Sequence, residues 1–279
     1  MKANISHILV PTDFSAFSNR AFRFACQLAD KRNAKVTLFH VVEPPYNFAT
    51  AIKGMIEMME KNALSRMQKL INSSDYEIKI ETQIKHGRTS LEILDCVDRE
   101  EADLVVMGSR GQSKLSRAVL GSVSEKIAHQ LQIPLFLIPD ASDDPVLSSI
   151  IFTTDFRKDD PENFLFTSSL AGDLHATVLP VHMTKDYGFD VRIRHLGFTE
   201  VIREKTGDDT LQVEIVKSES LLHGIAEFAG QHKNPALVFN RYKKSVLQNL
   251  FKKDHTDEMV VYSDIPLLII PSGPLSDSM

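Results

Sequence analysis

The stretch "ADLVVMGSRGQSKLSRAVLGSVSEKIA", Ala102 to Ala128, sets an apolar run against a loop rich in glycine and hydroxyl groups, followed by a helical pattern. Gly108, Gly111 and Gly121 punctuate the loop, and Arg110, Lys114 and Arg117 make it basic. Ser122 followed by Glu125 has capping-box spacing, which predicts a helix starting there with Ser122 as its cap. A helix N-terminus behind such a loop offers an anion free N–H groups and a positive dipole end. Glycine at these positions predicts close approach of backbone to ligand and positive φ. A plain strand-loop-helix joint with glycine at its turns has the same local pattern. Neither the G-x4-GK[ST] spacing of a Walker A loop nor G-x-G-x-x-G occurs here.

Outward from this stretch, the chain repeats itself. "HILVPTDFS" (His7 to Ser15) returns as "SIIFTTDFR" (Ser149 to Arg157), and "AKVTLFHVV" (Ala34 to Val42) returns as "ATVLPVHMT" (Ala176 to Thr184), both at a spacing of 142. "IPLFLIP" (Ile133 to Pro139) returns as "IPLLIIP" (Ile265 to Pro271) at a spacing of 132, so the second copy is ten residues shorter. Matched segments in the same order point to two homologous domains, expected at 1–142 and 147–279. The boundary falls in "DASDDPVLS", where acidic, small and proline residues interrupt the apolar pattern.

Within the first copy "ISHILVP", "KVTLFHV", "EIKIETQI", "ADLVVMG" and "PLFLIP" read as strands, most of them apolar throughout, as in a sheet covered on both faces. "SAFSNRAFRFACQLADKR", "FATAIKGMIEMMEKNALSRMQKLI", "TSLEILDCVDREE" and "SVSEKIAHQL" carry the helical period. Strand alternating with helix predicts an open, doubly wound α/β fold, with a five-stranded parallel sheet in each copy. Ligands of such sheets bind beyond the carboxyl ends of the strands at the topological switch point. Asp13, Val41 and Gly108 each end a strand, so the fold is expected to bring them to one crevice.

Composition narrows the function class. The chain has 279 residues, 43% hydrophobic and 25% charged, which is ordinary for a globular protein. A net charge of -5 gives no global basic field for nucleic acid. The N-terminal apolar stretch is broken by Pro11 and Asp13, too short for a signal sequence or a membrane span, so no membrane partner and a cytoplasmic location are expected. Cys26 and Cys96 cannot form a disulfide framework or a metal site between them and read as reduced, packed thiols.

The residues also carry a resemblance. Gly108-x2-Gly111-x9-Gly121-Ser122 resembles the G-x2-G-x9-G-[ST] loop of the universal stress protein family, and "ILVPTDFS" is similar to that family's first strand and the aspartate after it. The similarity runs through residues 1 to 140 and, more weakly, 148 to 272. It implies a Rossmann-like fold of universal stress protein type in tandem. It further implies an adenine nucleotide, ATP in the family's ATP-binding branch, with Mg2+ as companion ion. By that analogy Asp13, after Pro11 and Thr12, accepts from the adenine amino group, and the backbone at Val41 meets the base. Met107, Gly108, Arg110 and Gly111 wrap ribose and phosphates, while Gly121, Ser122, Val123 and Ser124 meet phosphate oxygens. Read alone, Asp13 is equally a turn-forming or N-capping aspartate before "FSAFSNRA". Family members commonly pair through their last strands, so "IPLFLIP" and "IPLLIIP" are expected to pair within one chain, with a homodimer as a further possibility.

The second copy departs from the motif. Asn240, Lys243, Lys253 and Asp254 stand where the first has Gly108, Gly111, Gly121 and Ser122, although Asp155 matches Asp13. Lysine would fill space a phosphate needs and Asp254 would repel it, so nucleotide is expected in the first domain alone. The segment 241–253 is basic, either a solvated helix face or a docking patch for an acidic partner. His40 and His182 occupy matching positions and read as hydrogen-bonded structural histidines. With no Ser-His-Asp order, CxxC, HExxH or evident general base, no catalytic residue and no metal ligand is assigned. The expected function is nucleotide-dependent association in a stress response, with a slow ATPase or nucleotidyl-transfer enzyme, or a nucleotide-free scaffold, as the alternatives.

Overall fold

The computed structural model describes residues 5–43, 52–111, 121–139, 146–241 and 264–271. The chain divides into two compact units, the first spanning Ile5–Pro145 and the second beginning at Val146. In the first unit β1 (His7–Pro11) leads through α1 (Ala16–Arg32) to β2 (Lys35–Val42), then through α2 (Ile52–Asn72) to β3 (Ile80–His86). From there α3 (Thr89–Glu100) leads to β4 (Leu104–Gly108), and α4 (Ser122–Gln130) leads to β5 (Leu135–Ile138). The strands lie in the order β3-β2-β1-β4-β5, and each pair is parallel. The chain therefore reverses direction across the sheet between β1 and β4, which opens a crevice at their carboxyl ends.

Burial follows the apolar pattern. Every residue of β1, β4 and β5 is buried, whereas the edge strand β3 is only half covered. Helix α1 starts because the Ser15 hydroxyl accepts from the Ser18 amide, and it ends at Asn33 in the left-handed region, behind Lys31 and Arg32. Its inner face carries Phe22, Phe24, Ala25 and Leu28 into the core, where Phe24 meets Phe136 of β5 edge-on with ring centroids 4.8 Å apart. Cys26 and Cys96 are buried free thiols, as the sequence predicts, and burial pushes them up to about 12 and about 11.

The second unit repeats this plan with β6 (Ser149–Thr153), α5 (Asp160–Leu174), β7 (Thr177–Thr184), α6 (Phe189–Thr206) and β8 (Glu214–Lys217). It continues with α7 (Leu221–Gly230), β9 (Pro235–Asn240) and β10 (Leu267–Ile270). Its order is β10-β9-β6-β7-β8, again with every pair parallel. Lys243, Lys253, Asp254 and nearly all of the basic segment lie outside the described residues.

One position separates the two copies. A Cβ on Gly108 would lie 2.7 Å from Phe17 Cβ and 3.0 Å from the Ser18 amide nitrogen, because the first turn of α1 rests directly on the end of β4. The second unit has Asn240 at the matching place, fully buried in a polar cluster. Its Nδ2 donates to Asp160 Oδ1 at 3.0 Å, and its Oδ1 accepts from Asn163 Nδ2 at 2.8 Å. The other carboxylate oxygen of Asp160 accepts from Thr154 Oγ1 at 2.6 Å and from the amides of Asp155 and Arg157. A buried carboxylate held by four donors thus takes up space in the second unit that the first leaves to backbone contact.

Gly108→Ala should therefore destabilise the first unit by about 1–3 kcal/mol, since neither backbone can yield cheaply. Gly172→Ala, in α5 with nothing within 4 Å of the added carbon, should stabilise the second by roughly 0.4–1 kcal/mol. Denaturant midpoints of the two variants moving in the same direction would contradict this assignment.

Candidate functional site

At the β1–β4 switch point of the first unit lies a cavity of ≈ 170 Å³. All twelve residues named from the sequence line it. Pro11, Thr12 and Asp13 come from the end of β1, Val41 from β2, and Met107 and Gly108 from β4. Arg110 and Gly111 follow β4, and Gly121, Ser122, Val123 and Ser124 enter α4. Ser18, Phe39, His40, Thr89 and Ile93 complete the wall, and the sequence did not mark them as site residues. Thr89 and Ile93 stand four apart at the start of α3, a spacing that puts two side chains on one helical face and was the available signal.

The register explains why Val41 faces the cavity. Pairing of β1 with β2 ends at Pro11↔Phe39, and the Thr12 amide donates to the Phe39 carbonyl at 2.8 Å, so β2 runs on past the end of β1. Backbone groups alternate sides along a strand. Phe39 points its carbonyl toward β1, and Val42 points its own toward Gly87 beyond β3 at 3.2 Å. The Val41 N–H and C=O therefore point to the β1 side, beyond where β1 can meet them.

The turn after β1 is tightly specified. Thr12 Oγ1 accepts from the Phe14 amide at 3.0 Å, and Asp13 Oδ1 accepts from the Ser15 amide at 3.0 Å. Asp13 is thus turn-forming while it lines the cavity, and the helix cap is Ser15. Phe14 takes φ 63, a left-handed conformation that a bulky residue holds only when its surroundings over-determine it. Its ring lies between His40, at 4.6 Å between centroids, and the Arg66 guanidinium, 4.3 Å from the ring centroid. His40 Nδ1 sits 2.7 Å from the Thr12 carbonyl, so that nitrogen carries the proton and donates. Burial holds its pKa below the ordinary imidazole value, with the Thr12 bond opposing and the Arg66 charge adding to the fall. It is a hydrogen-bonded structural histidine that also forms cavity wall.

The glycine loop corrects two expectations. The cap of α4 is Gly121, at φ -67 and ψ 147, with no side-chain bond; Ser122 is the first helical residue. Extended φ of the ordinary sign at Gly121 also removes the predicted need for left-handed backbone there. Close approach is what this position demands. A Cβ on Gly121 would lie 3.3 Å from Arg110 Cα, and one on Gly111 would lie 2.8 Å from Asp13 Oδ2.

The donors that remain are equally specific. The Gly121 amide donates to the Ser109 carbonyl at 2.9 Å, and the Ser124 hydroxyl donates to the Gly108 carbonyl at 3.0 Å. What α4 turns toward the cavity is its first-turn amides at Ser122, Val123 and Ser124, which have no acceptor within the helix, and the Ser122 hydroxyl. On the facing wall, the Glu43 carboxylate accepts from both the amide and the hydroxyl of Thr89, starting α3 from a neighbouring strand. Those two bonds hold its pKa below the usual carboxylate range.

An open parallel sheet with a crevice at its switch point, walled by a turn aspartate and a helix N-terminus, has the layout in which α/β folds place their ligand sites. Residues 4–139 match the model of the universal stress protein family. A universal stress protein of Methanocaldococcus jannaschii is 28% identical over 138 residues, covering 47% of this chain and 80% of its own. One of Mycolicibacterium smegmatis is 29% identical over 140 residues, 47% of each chain. Among solved structures, a universal stress protein of Archaeoglobus fulgidus covers 96% of both chains with a TM-score of 0.70 at 19% identity. A functionally unknown protein of Pseudomonas aeruginosa covers 98% of this chain and 94% of its own, with a TM-score of 0.63 at 12% identity. At such identities these structures establish the shared fold. No helix among the described residues is long and apolar enough to cross a membrane.

Buried His7 and half-buried His40 set a pH dependence. His7, whose ring nitrogens meet the Glu100 carbonyl and Thr37 Oγ1, and His40 both have pKa values lowered by burial from 6.5. As pH falls through 6.5 the unfolded chain binds protons that the folded protein resists, so stability falls with acidification. The thermal midpoint should drop between about pH 7 and about pH 5, and His40→Gln should make that drop shallower. A variant with the same slope as the parent would remove His40 from this account.

Proposed function

We propose that the first unit binds an adenine nucleotide, ATP in the first instance, and that the protein acts in a stress response through nucleotide-dependent association. The observation that carries this reading is the convergence on one cavity of three groups such a ligand needs. The outward N–H and C=O of Val41 suit the hydrogen-bonding edge of a purine, and Asp13 suits its exocyclic amine. The first-turn amides of α4 at the helix's positive end suit a phosphate. A Cβ at Gly111 would crowd Asp13 Oδ2 and one at Gly121 the Arg110 backbone, so glycine at both lets the two ends of the loop close on the turn after β1 beside the cavity. The cavity is smaller than the roughly 300–1,000 Å³ of whole-ligand pockets, which favours base and ribose inside with phosphates toward α4. Mg2+ would ride on those phosphates and neutralise their charge.

The second unit serves as a structural or regulatory copy. Asp160 and Asn240 fill the place where Ser18 and Gly108 meet, and a carboxylate there opposes an anionic ligand. In each unit the last strand, β5 or β10, ends that unit's own order of strands, and we propose that the two pair within the chain. Covering both edges would remove an aggregation hazard.

Calorimetric titration of the full chain with ATP should give one site per chain; two equal sites would overturn the asymmetry. Gly121→Leu adds a neutral side chain at a position of ordinary φ whose Cβ would press on the Arg110 backbone beside the cavity, and should weaken binding by more than about a hundredfold. Ser122→Ala should cost roughly 1.5–3 kcal/mol of binding, one charge-assisted hydrogen bond, with thermal stability unchanged because Gly121 is the cap. Asp13→Ala should weaken ATP while sparing inorganic polyphosphate. If folded Gly121→Leu binds ATP like the parent, the cavity is not the site.

A further inference from the structure

Of the two residues that α3 gives the cavity wall, Thr89 is the polar one, and its hydrogen-bonding sense is fixed from outside the cavity. Its amide donates to Glu43 Oε1 at 2.8 Å, and its hydroxyl donates to the same oxygen at 2.5 Å. Those bonds hold the Glu43 carboxyl below the usual carboxylate range, so at neutral pH it is ionised and can only accept. The one hydroxyl proton of Thr89 is therefore committed to Glu43, and Oγ1 keeps only lone pairs. Toward a ligand in the cavity Thr89 is an acceptor. That sense is opposite to the start of α4, where the first-turn amides donate.

The second unit does not repeat this pair. Lys185 stands where the first has Glu43, and its amine lies 3.2 Å from the Glu219 carboxylate. Ser220 follows the amide that bonds the Thr184 carbonyl by two residues, as Thr89 follows Gly87, but its hydroxyl oxygen caps α7 by accepting from the His223 amide.

An acceptor in the wall calls for a donor on the ligand. An adenosine nucleotide carries its donors in two places, the exocyclic amine and the ribose hydroxyls. In the binding mode proposed above, Asp13 takes one amine hydrogen and the outward Val41 carbonyl takes the other. The ribose hydroxyls are the donors left. We propose that Thr89 Oγ1 accepts a hydrogen bond from a ribose hydroxyl and makes the first unit select ribonucleotides over their deoxy counterparts, with Glu43 as the residue that sets the polarity of Thr89. This inference rests on the nucleotide reading.

Titration of the full chain with ATP, 2′-deoxy-ATP and 3′-deoxy-ATP tests it. The parent should bind at least one deoxy analogue about threefold to tenfold more weakly than ATP, the worth of one neutral hydrogen bond. Which analogue weakens identifies the hydroxyl, and this comparison needs no variant to fold. Thr89→Val keeps the shape and the amide bond to Glu43 but removes the oxygen. It should weaken ATP by that same factor and leave the affected analogue unchanged, so that discrimination disappears. Thr89→Ser keeps the oxygen and should keep the discrimination. A parent that binds ATP and both analogues equally would overturn this assignment and leave the nucleotide reading standing, as would a Thr89→Val variant that discriminates like the parent. A parent that binds none of the three would overturn the nucleotide reading itself, and this assignment with it.

Discussion

At the end of β4 there is no room for a side chain, and the geometry of the candidate site follows from that constraint. Because Gly108 lets the first turn of α1 rest on the strand, Ser18 and the turn at Thr12–Ser15 close one wall of the crevice without entering it. The same contact leaves the Gly108 carbonyl to accept from Ser124, which fixes where α4 begins and where its free amides point. In the second unit the matching position carries a side chain, and the response is chemical as well as steric. Asn240 can be buried because Asp160, Asn163 and the Thr153 carbonyl bond it, and Asp160 because Thr154, two amides and Asn240 bond it. One position thus carries a backbone contact in the first unit and a buried polar cluster in the second, on the same scaffold.

The turn after the first strand shows what the two units still share. Phe14 and Phe156 both take positive φ, at 63 and 58, and in each case a threonine hydroxyl two residues earlier accepts from the strained residue's amide. His40 and His182 each sit 2.7 Å from that threonine's carbonyl and lie against the phenylalanine ring. Such strain, of order 1–3 kcal/mol per residue, persists where several bonds enforce it. The fold therefore needs this turn whether or not a ligand meets it, which separates the structural share of "TDF" from any share in binding. What differs is the outer face of the ring: Arg66 covers Phe14, whereas His195 stacks over Phe156 with its own hydrogen bond to Tyr187.

Much of the site could be read because it is local. The end of β1, the end of β4 and the start of α4 each announce themselves by strand pattern, glycine spacing and helix start. Residues contributed by chain brought in from elsewhere carried no such mark. Thr89 belongs to the wall because Glu43, at the end of another strand, caps its helix, and no sequence window contains both. The cap of α4 was misplaced by one residue for a related reason. Ser122 with Glu125 fits the capping box, but the Ser109 carbonyl binds the Gly121 amide, and that tertiary bond makes Gly121 the last extended residue.

The sequence by itself determined the repeat, the strand and helix alternation, the parallel α/β fold in each copy and twelve of the residues that gather at the first crevice. These rest on periodicity and spacing, which a linear chain records directly. Only the tertiary structure decided what each glycine is for and which donors remain at the site. Gly108 answers to a helix ninety residues earlier in the chain, and Ser124 to a carbonyl on the preceding strand. Whether a hydroxyl faces a ligand or a neighbouring carbonyl is settled by packing between segments, and packing is not written in any one of them.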